Sequence, residues 1–450
     1  MLGGTHKKIG MVASLAILRP ATIPACLGAL AAGSIGGDIC DIDILWRKHP
    51  AKDEDPERDD HYDGEWEDVA SDVILFFLFV IVDWYFGSGA VAWIQSHFGF
   101  QTLAAMAVFG LIVVCGMIAA HRSFMHSILV GLVLSGCLYI ICAPLVPAFA
   151  IGYVSHLLLD LCNRTGMKLF WPIPKRFKLG LCASNKTANA VVDTIGEILL
   201  CLLASFFLIR AVLYNEQSKK LLDLLLSPYS EETTVFAAWL WFVNILTFLI
   251  ENINFSRWLK GKWPYQRHGE GFNREKDTAT MDFMQRNMYI LFVLGGALGG
   301  LLSFIVIAFR GRKYVKNGAL GAAMPLFGAT CVLIEWSCIY HVIVHTKELQ
   351  TWVNANCQGL NALYIMIFLI VMSILTYIVY SKDDERINSL SVKTFLELLI
   401  AFLGGAAGGL LSINLKGYLS GQAIIRSTVM KMLQTHCLII AMFVVLLWAH

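Results

Sequence analysis

The sequence is short of charge. Aspartate, glutamate, lysine and arginine supply only 15% of its 450 residues, and 35 bases against 33 acids leave a net charge of +2. So slight a balance, with its bases spread through short loops, excludes the basic stripe of a nucleic-acid binder. No two of the twelve cysteines form a C-x-x-C pair. Most lie in apolar runs, as small buried hydrophobes do, so neither a disulfide framework nor a structural zinc knuckle is indicated. A cleaved leader is not expected either: Lys7 and Lys8 precede an apolar run, but Arg19, Pro20 and Pro24 interrupt it and no cleavage pattern follows.

What the chain has instead is apolar length, with 57% hydrophobic residues. A bilayer needs roughly 20 consecutive helical residues. Runs that reach or approach that length lie near 11–36, 73–95, 102–120, 127–150, 191–213, 235–255, 288–309, 318–346, 360–380, 395–415 and 436–449. These predict an all-α, polytopic membrane helical bundle of about ten helical elements. Residues 53–72 hold eleven acids against the single base Arg58, which predicts a solvated loop beside the membrane. Residues 164–186 hold six bases and no acid; by the positive-inside rule this loop, and the site beside it, face the cytoplasm.

An internal repeat marks the second half. GGALGGLLS at 295–303 recurs as GGAAGGLLS at 404–412, and NILTFLIE at 244–251 has a partner in MSILTYIVY at 372–380. The chain is therefore expected to divide into a first module at 1–213, a polar break at 214–234 and a duplicated membrane module at 235–450.

Chemistry gathers in the first module. His156 and Asp160 are i and i+4 on a predicted helix, so both occupy one face about 6 Å apart, suited to a shared ion or to a structural hydrogen bond. Ionisable groups at membrane depth are costly and usually functional. In AAHRSFMHSIL, His121 and His126 would diverge by about 140° on a regular helix, so a turn or helix end is expected there. The stretch GSIGGDICDIDILW supplies Asp38, Asp41 and Asp43 as oxygen ligands, and THKK supplies His6. On one straight helix His6 and Asp38 would stand roughly 48 Å apart. Pro20 and Pro24 break that run, and Pro144 and Pro147 break the run between His126 and His156. Two antiparallel hairpins then bring all four stretches to one end of a bundle.

THKKIG, GGDICDID, HRSFMHSIL and GYVSHLLLDLCNRTGMKLFWPIPKRF resemble, in order, segments of the YdjM-like family, LexA-regulated membrane-bound metal-dependent hydrolases of bacteria. The resemblance covers residues 1–213 and implies metal ligation by His6, Asp41, Asp43, His121, His126, His156 and Asp160. Cys40, Met125 and Ser123 depart from the family's usual residues, none of them a ligand. The second module is similar, more weakly, to a family of short uncharacterised bacterial membrane proteins, whose glycines let helices approach closely.

Imidazole and carboxylate ligands without thiolate suit Zn²⁺, or Mn²⁺, in a water-bearing site. Phosphoester hydrolysis is the chemistry expected, on a lipid or lipid-linked substrate, with Asp41 or Asp43 as general base and Arg122 holding a phosphate. Lys168, Lys175, Arg176 and Lys178 either attract anionic head groups or only set topology. The competing expectation is a metal-binding transporter or a scaffold, with Glu251 and Glu335 on its path and His341 and His345 as a second ion site or a helix end.

Overall fold

A computed structural model describes residues 3–42, 65–86, 89–120, 122–162, 166–179, 186–215, 231–259, 291, 295–310, 315–382, 399–416 and 423–448. They are helical apart from connecting turns and one isolated two-residue bridge, and form two compact units, Met1–Ser218 and Lys219–His450.

The first unit is built on two helical hairpins. Helices α1 (Gly3–Leu18) and α2 (Ile23–Asp38) are joined by a turn in which Arg19 takes a left-handed backbone, φ +49°. Thr22 then caps α2, its side chain accepting from Ala25 N at 3.2 Å, and Pro24 occupies the first turn, where its missing N–H costs nothing. Helices α6 (Ile128–Cys142) and α7 (Val146–Leu161) are joined by a short 3₁₀ turn holding Pro144. The stretch Ile128–Leu161 is apolar throughout, yet it folds back on itself: Tyr153 Oη donates to Ser127 O at 3.0 Å and also to Met125 O. At about 1.5 Å per residue a 16-residue arm is about 24 Å long, short of the roughly 30 Å hydrocarbon core.

Glycine sets the spacing of α1, α2 and α7. A methyl group on Gly36 would lie 2.2 Å from Phe149 O, and one on Gly152 2.3 Å from Gly33 O. Both neighbours are backbone atoms and cannot rotate away. We expect Gly36→Ala to destabilise the first unit by about 1–3 kcal/mol, read as a lowered thermal midpoint in detergent. Gly136→Ala, with nothing within 4 Å of the added carbon, should leave the midpoint unchanged.

Between the hairpins lie α3 (Glu65–Phe86), α4 (Ala90–His97) and α5 (Phe100–Ile118), with α8 (Lys186–Tyr214) following them. The acidic stretch is not wholly a solvated loop, because residues 65–72 already belong to α3 and Asp72 is buried against Lys7, Nζ to Oδ1 2.8 Å, and Ser34; residues 53–64 lie outside the described residues. Nor is the run 73–95 one straight span. It bends by 80° between α3 and α4, where Asp83 Oδ2 accepts the Val91 amide at 2.7 Å.

The second unit comprises α9 (Glu231–Leu259), α10 (Ala297–Arg310), α11 (Val315–Val344), α12 (Thr346–Asn356), α13 (Leu360–Lys382), α14 (Ala406–Lys416) and α15 (Ala423–Trp448). The duplicated segments make duplicated contacts. Gly295 and Gly404 both adopt positive φ, +107° and +123°. Asn252 donates to Ser303 Oγ at 2.9 Å, and the corresponding Ser381 and Ser412 hydroxyls lie 3.3 Å apart. A methyl group on Gly299 or Gly408 would strike the carbonyl of Asn244 or Ser373.

Among the described residues five helical stretches are long and apolar enough, by length and composition alone, to cross a membrane, six if α3 and α4 make one bent span; one of the five is Ile128–Leu161, the stretch that reverses at Pro144. Several, α5 and α13 above all, leave large apolar side chains exposed along their length, as lipid-facing helices do. The chain is a multi-pass membrane protein.

Candidate metal centre

The start of α1, the end of α2, the turn before α6 and the end of α7 meet at one end of the first unit, and each brings ligand atoms. His6 comes from the first turn of α1. Asp41 stands in the 3₁₀ turn that closes α2, and His126 in the turn before Ser127, whose side chain caps α6 by accepting from Val130 N. His156 and Asp160 lie one turn apart on α7. All five are buried, four of them to 1% exposure or less.

The separations among their donor atoms are short. His126 Nε2 lies 3.2 Å from Asp41 Oδ1, 3.2 Å from Asp160 Oδ2 and 3.2 Å from His156 Nε2. His6 Nδ1 is 3.3 Å from Asp41 Oδ2, and its Nε2 is 3.6 Å from Asp160 Oδ1. His156 Nε2 is 3.7 Å from Asp41 Oδ1 and 3.9 Å from Asp160 Oδ2. Four ligands about 2.0–2.1 Å from a central ion at tetrahedral angles stand about 3.3–3.4 Å apart, so the edges of this cluster have the length that a coordination shell requires.

Two details favour a cation over a set of internal hydrogen bonds. His156 Nδ1 donates to Gly37 O at 2.7 Å, which turns the Nε2 lone pair into the cluster, the arrangement typical of ligating histidines. His6 Nε2 is buried without a hydrogen-bond partner, a state that ordinarily costs stability and that ligation would relieve. The site's electrostatic demand is for positive charge. Burial opposes a proton on His126, but the hydrogen bonds and charges of Asp160 and Asp41 outweigh it and push its pKa up to about 9; a metal ion would meet the same demand in that proton's place. Two buried carboxylates call for positive charge, and these buried groups can hold a metal ion.

Other expected residues fall out differently. Asp43 and His121 lie outside the described residues, as does the Glu251 side chain. Asp38 is half-buried at the end of α2. The turn expected at HRSFMH is present: Arg122 has a left-handed backbone, φ +57°, and its Nε reaches Asp160 Oδ2 at 3.5 Å. Glu335 is buried in α11 of the second unit, whereas His341 and His345 meet at the end of that helix with tilted rings, centroids 4.5 Å apart, and His345 lies toward Glu348.

Sequence reasoning missed the ionic frame around His6. Lys7 pairs with Asp72 of α3. Lys8 Nζ lies 3.0 Å from Asp193 and 2.8 Å from Glu197 of α8, and Thr5 donates to Asp193 at 2.9 Å. Asp193 and Glu197, i and i+4 in an apolar run, carried the same signal as His156 and Asp160.

A family model described as YdjM inner membrane protein matches residues 1–248. No curated protein and no solved structure matches the chain.

Proposed function

Because the chain belongs to the YdjM inner membrane protein family, we propose that its buried His and Asp cluster is the active site of a metal-dependent hydrolase that cleaves a phosphoester of a lipid or lipid-linked substrate. The observation that carries this reading is the convergence of His6, Asp41, His126, His156 and Asp160 with donor-atom separations of 3.2–3.9 Å. Nitrogen and oxygen donors without thiolate suit Zn²⁺, or Mn²⁺, in a catalytic site. When bound, such an ion supplies Lewis acidity and lowers the pKa of water toward about 7.

The chain's own residues do the rest. His156, fixed through Gly37 O, and His6, held by the flanking Lys7 and Lys8 pairs, keep their nitrogens aimed inward before any substrate arrives. Asp41, with 10% of its side chain exposed, is the carboxylate best placed to accept a proton from an attacking water. Arg122 borders the cluster with 21% of its side chain exposed, so its guanidinium is placed to receive a phosphate while Nε stays near Asp160.

Purified protein should release product from glycerophospholipids or other phosphoesters only with divalent metal present, and His156→Ala or Asp160→Ala should lower kcat/KM by at least about a thousandfold, as losing about 4 kcal/mol of transition-state stabilisation does. Undiminished turnover in both variants overturns the assignment. Buried Glu335 in a lipid-exposed helix of the second unit favours one other reading, a metal-binding transporter. It predicts metal uptake into sealed vesicles that Glu335→Gln impairs.

A further inference from the structure

We propose that residues 166–179 form a docking hairpin for anionic phospholipid head groups, which presents the lipid phosphate to the His and Asp cluster. Docking stands by itself, whereas presentation rests on the hydrolase reading. Met167 and Phe177 exchange both backbone hydrogen bonds, at 3.0 and 2.8 Å, closing the hairpin. Gly166 at its base has φ +67°, and a methyl group there would sit 2.8 Å from Phe177 O.

The base is stitched to the segments that carry the site. Lys168 N donates to Arg122 O at 3.1 Å, Ile128 N to Leu169 O at 3.0 Å, and Leu179 N to Leu161 O at 2.7 Å. A ligand held on this hairpin is thus attached to the backbone beside Arg122, His126 and Asp160. Met167 is fully buried and anchors it, and Trp171 meets Phe124 edge to face with ring centroids 5.0 Å apart.

Its outer side combines two chemistries. Phe170 and Ile173 are 46% and 56% exposed. Lys175, Arg176 and Lys178 are exposed beside them, and no acid occurs anywhere in residues 164–186. Among the described residues no carboxylate pairs with these three bases or with Lys168. Apolar side chains interleaved with these bases match the boundary between acyl chains and anionic phosphates. The hairpin is bonded to both ends of the folded-back apolar stretch Ile128–Leu161, through Ile128 N and through Leu161 O, and an apolar reversal that enters and leaves on one side meets that boundary at its ends.

The test uses the full chain in nanodiscs of mixed phosphatidylcholine and phosphatidylglycerol, with a photo-crosslinking amino acid at position 173 and mass spectrometry of the lipid adducts. Phosphatidylglycerol adducts should exceed their bilayer share by at least about fivefold, the factor equal to the roughly 1 kcal/mol that one base near an anionic surface contributes. The variant K175Q/R176Q/K178Q, altered only at exposed positions, should still crosslink lipid but in proportion to the bilayer. Inorganic phosphate should not abolish the enrichment; if it does, the hairpin is a free-phosphate site and the proposal falls. Adducts in bilayer proportion in the unaltered hairpin, or none, also overturn it. His156→Ala should keep the enrichment, so failure of the hydrolase reading registers separately, as lost metal-dependent turnover with docking intact.

Discussion

Lys8→Met is expected to destabilise the protein by about 3–5 kcal/mol, the cost of removing one partner from a buried ionic group. Lys8 Nζ sits between Asp193 Oδ2 at 3.0 Å and Glu197 Oε2 at 2.8 Å, with side-chain exposures of 18%, 16% and 11%. Without the ammonium, two carboxylates one helical turn apart repel each other in a medium that screens them poorly. The triple variant K8M/D193N/E197Q removes the charges together and should recover most of the lost stability, since a neutral replacement of a buried ionic group is often tolerated. Denaturant titration of the purified protein in detergent measures both. A Lys8→Met midpoint equal to that of the unaltered protein means that the cluster contributes nothing to folding. Metal content adds a second readout: Lys8 follows His6 by two residues on α1, so the single variant should lose bound metal and the triple variant should regain it.

That ionic frame shows where reading the sequence stopped. Proline chemistry is local, so Pro20, Pro24, Pro144 and Pro147 announced the two reversals that carry His6 back to Asp41 and His126 back to His156. Intramembrane charge is local too, and it exposed His156 and Asp160. The partners of Lys7 and Lys8 are not local. Asp193 lies 185 residues from Lys8, and nothing in either segment names the other. Asp72 was hidden by its neighbours, because eleven acids in twenty residues read as solvent-facing and the last of them is buried. The repeat in the second half drew attention to its own glycines, while Gly33, Gly36 and Gly152 of the first unit, which decide how closely the ligand-bearing helices approach, resembled ordinary small residues of an apolar run. Helix direction and hairpin closure were legible; the side-to-side register that sets donor distances was not.

Stripping divalent metal should cost the protein about 4 kcal/mol of stability if the ion had been present at a thousandfold its dissociation constant, because a ligand that binds only the folded chain stabilises it by mass action. The effect arises at the cluster, where Asp41 and Asp160 each approach His126 Nε2 to 3.2 Å and where the loss of a cation leaves two buried carboxylates to the imidazoles and Arg122. Asp41→Asn tests this with little change of shape. Asparagine keeps the volume and one oxygen but removes the charge, so the variant should fold while its metal affinity falls by more than about a hundredfold, beyond the 10- to 100-fold typical of outer-shell changes. Its thermal midpoint should then fall much less on chelation, because metal at about ten times the weakened dissociation constant contributes only about 1.4 kcal/mol, whereas that of the unaltered protein drops by the full amount and returns when Zn²⁺ or Mn²⁺ is restored. The unaltered protein's response discriminates further between the two ions, since imidazole-rich sites follow the order in which Zn²⁺ binds more tightly than Mn²⁺. An Asp41→Asn protein whose midpoint falls on chelation as far as that of the unaltered protein would place the bound ion somewhere other than the junction of α1, α2, α6 and α7.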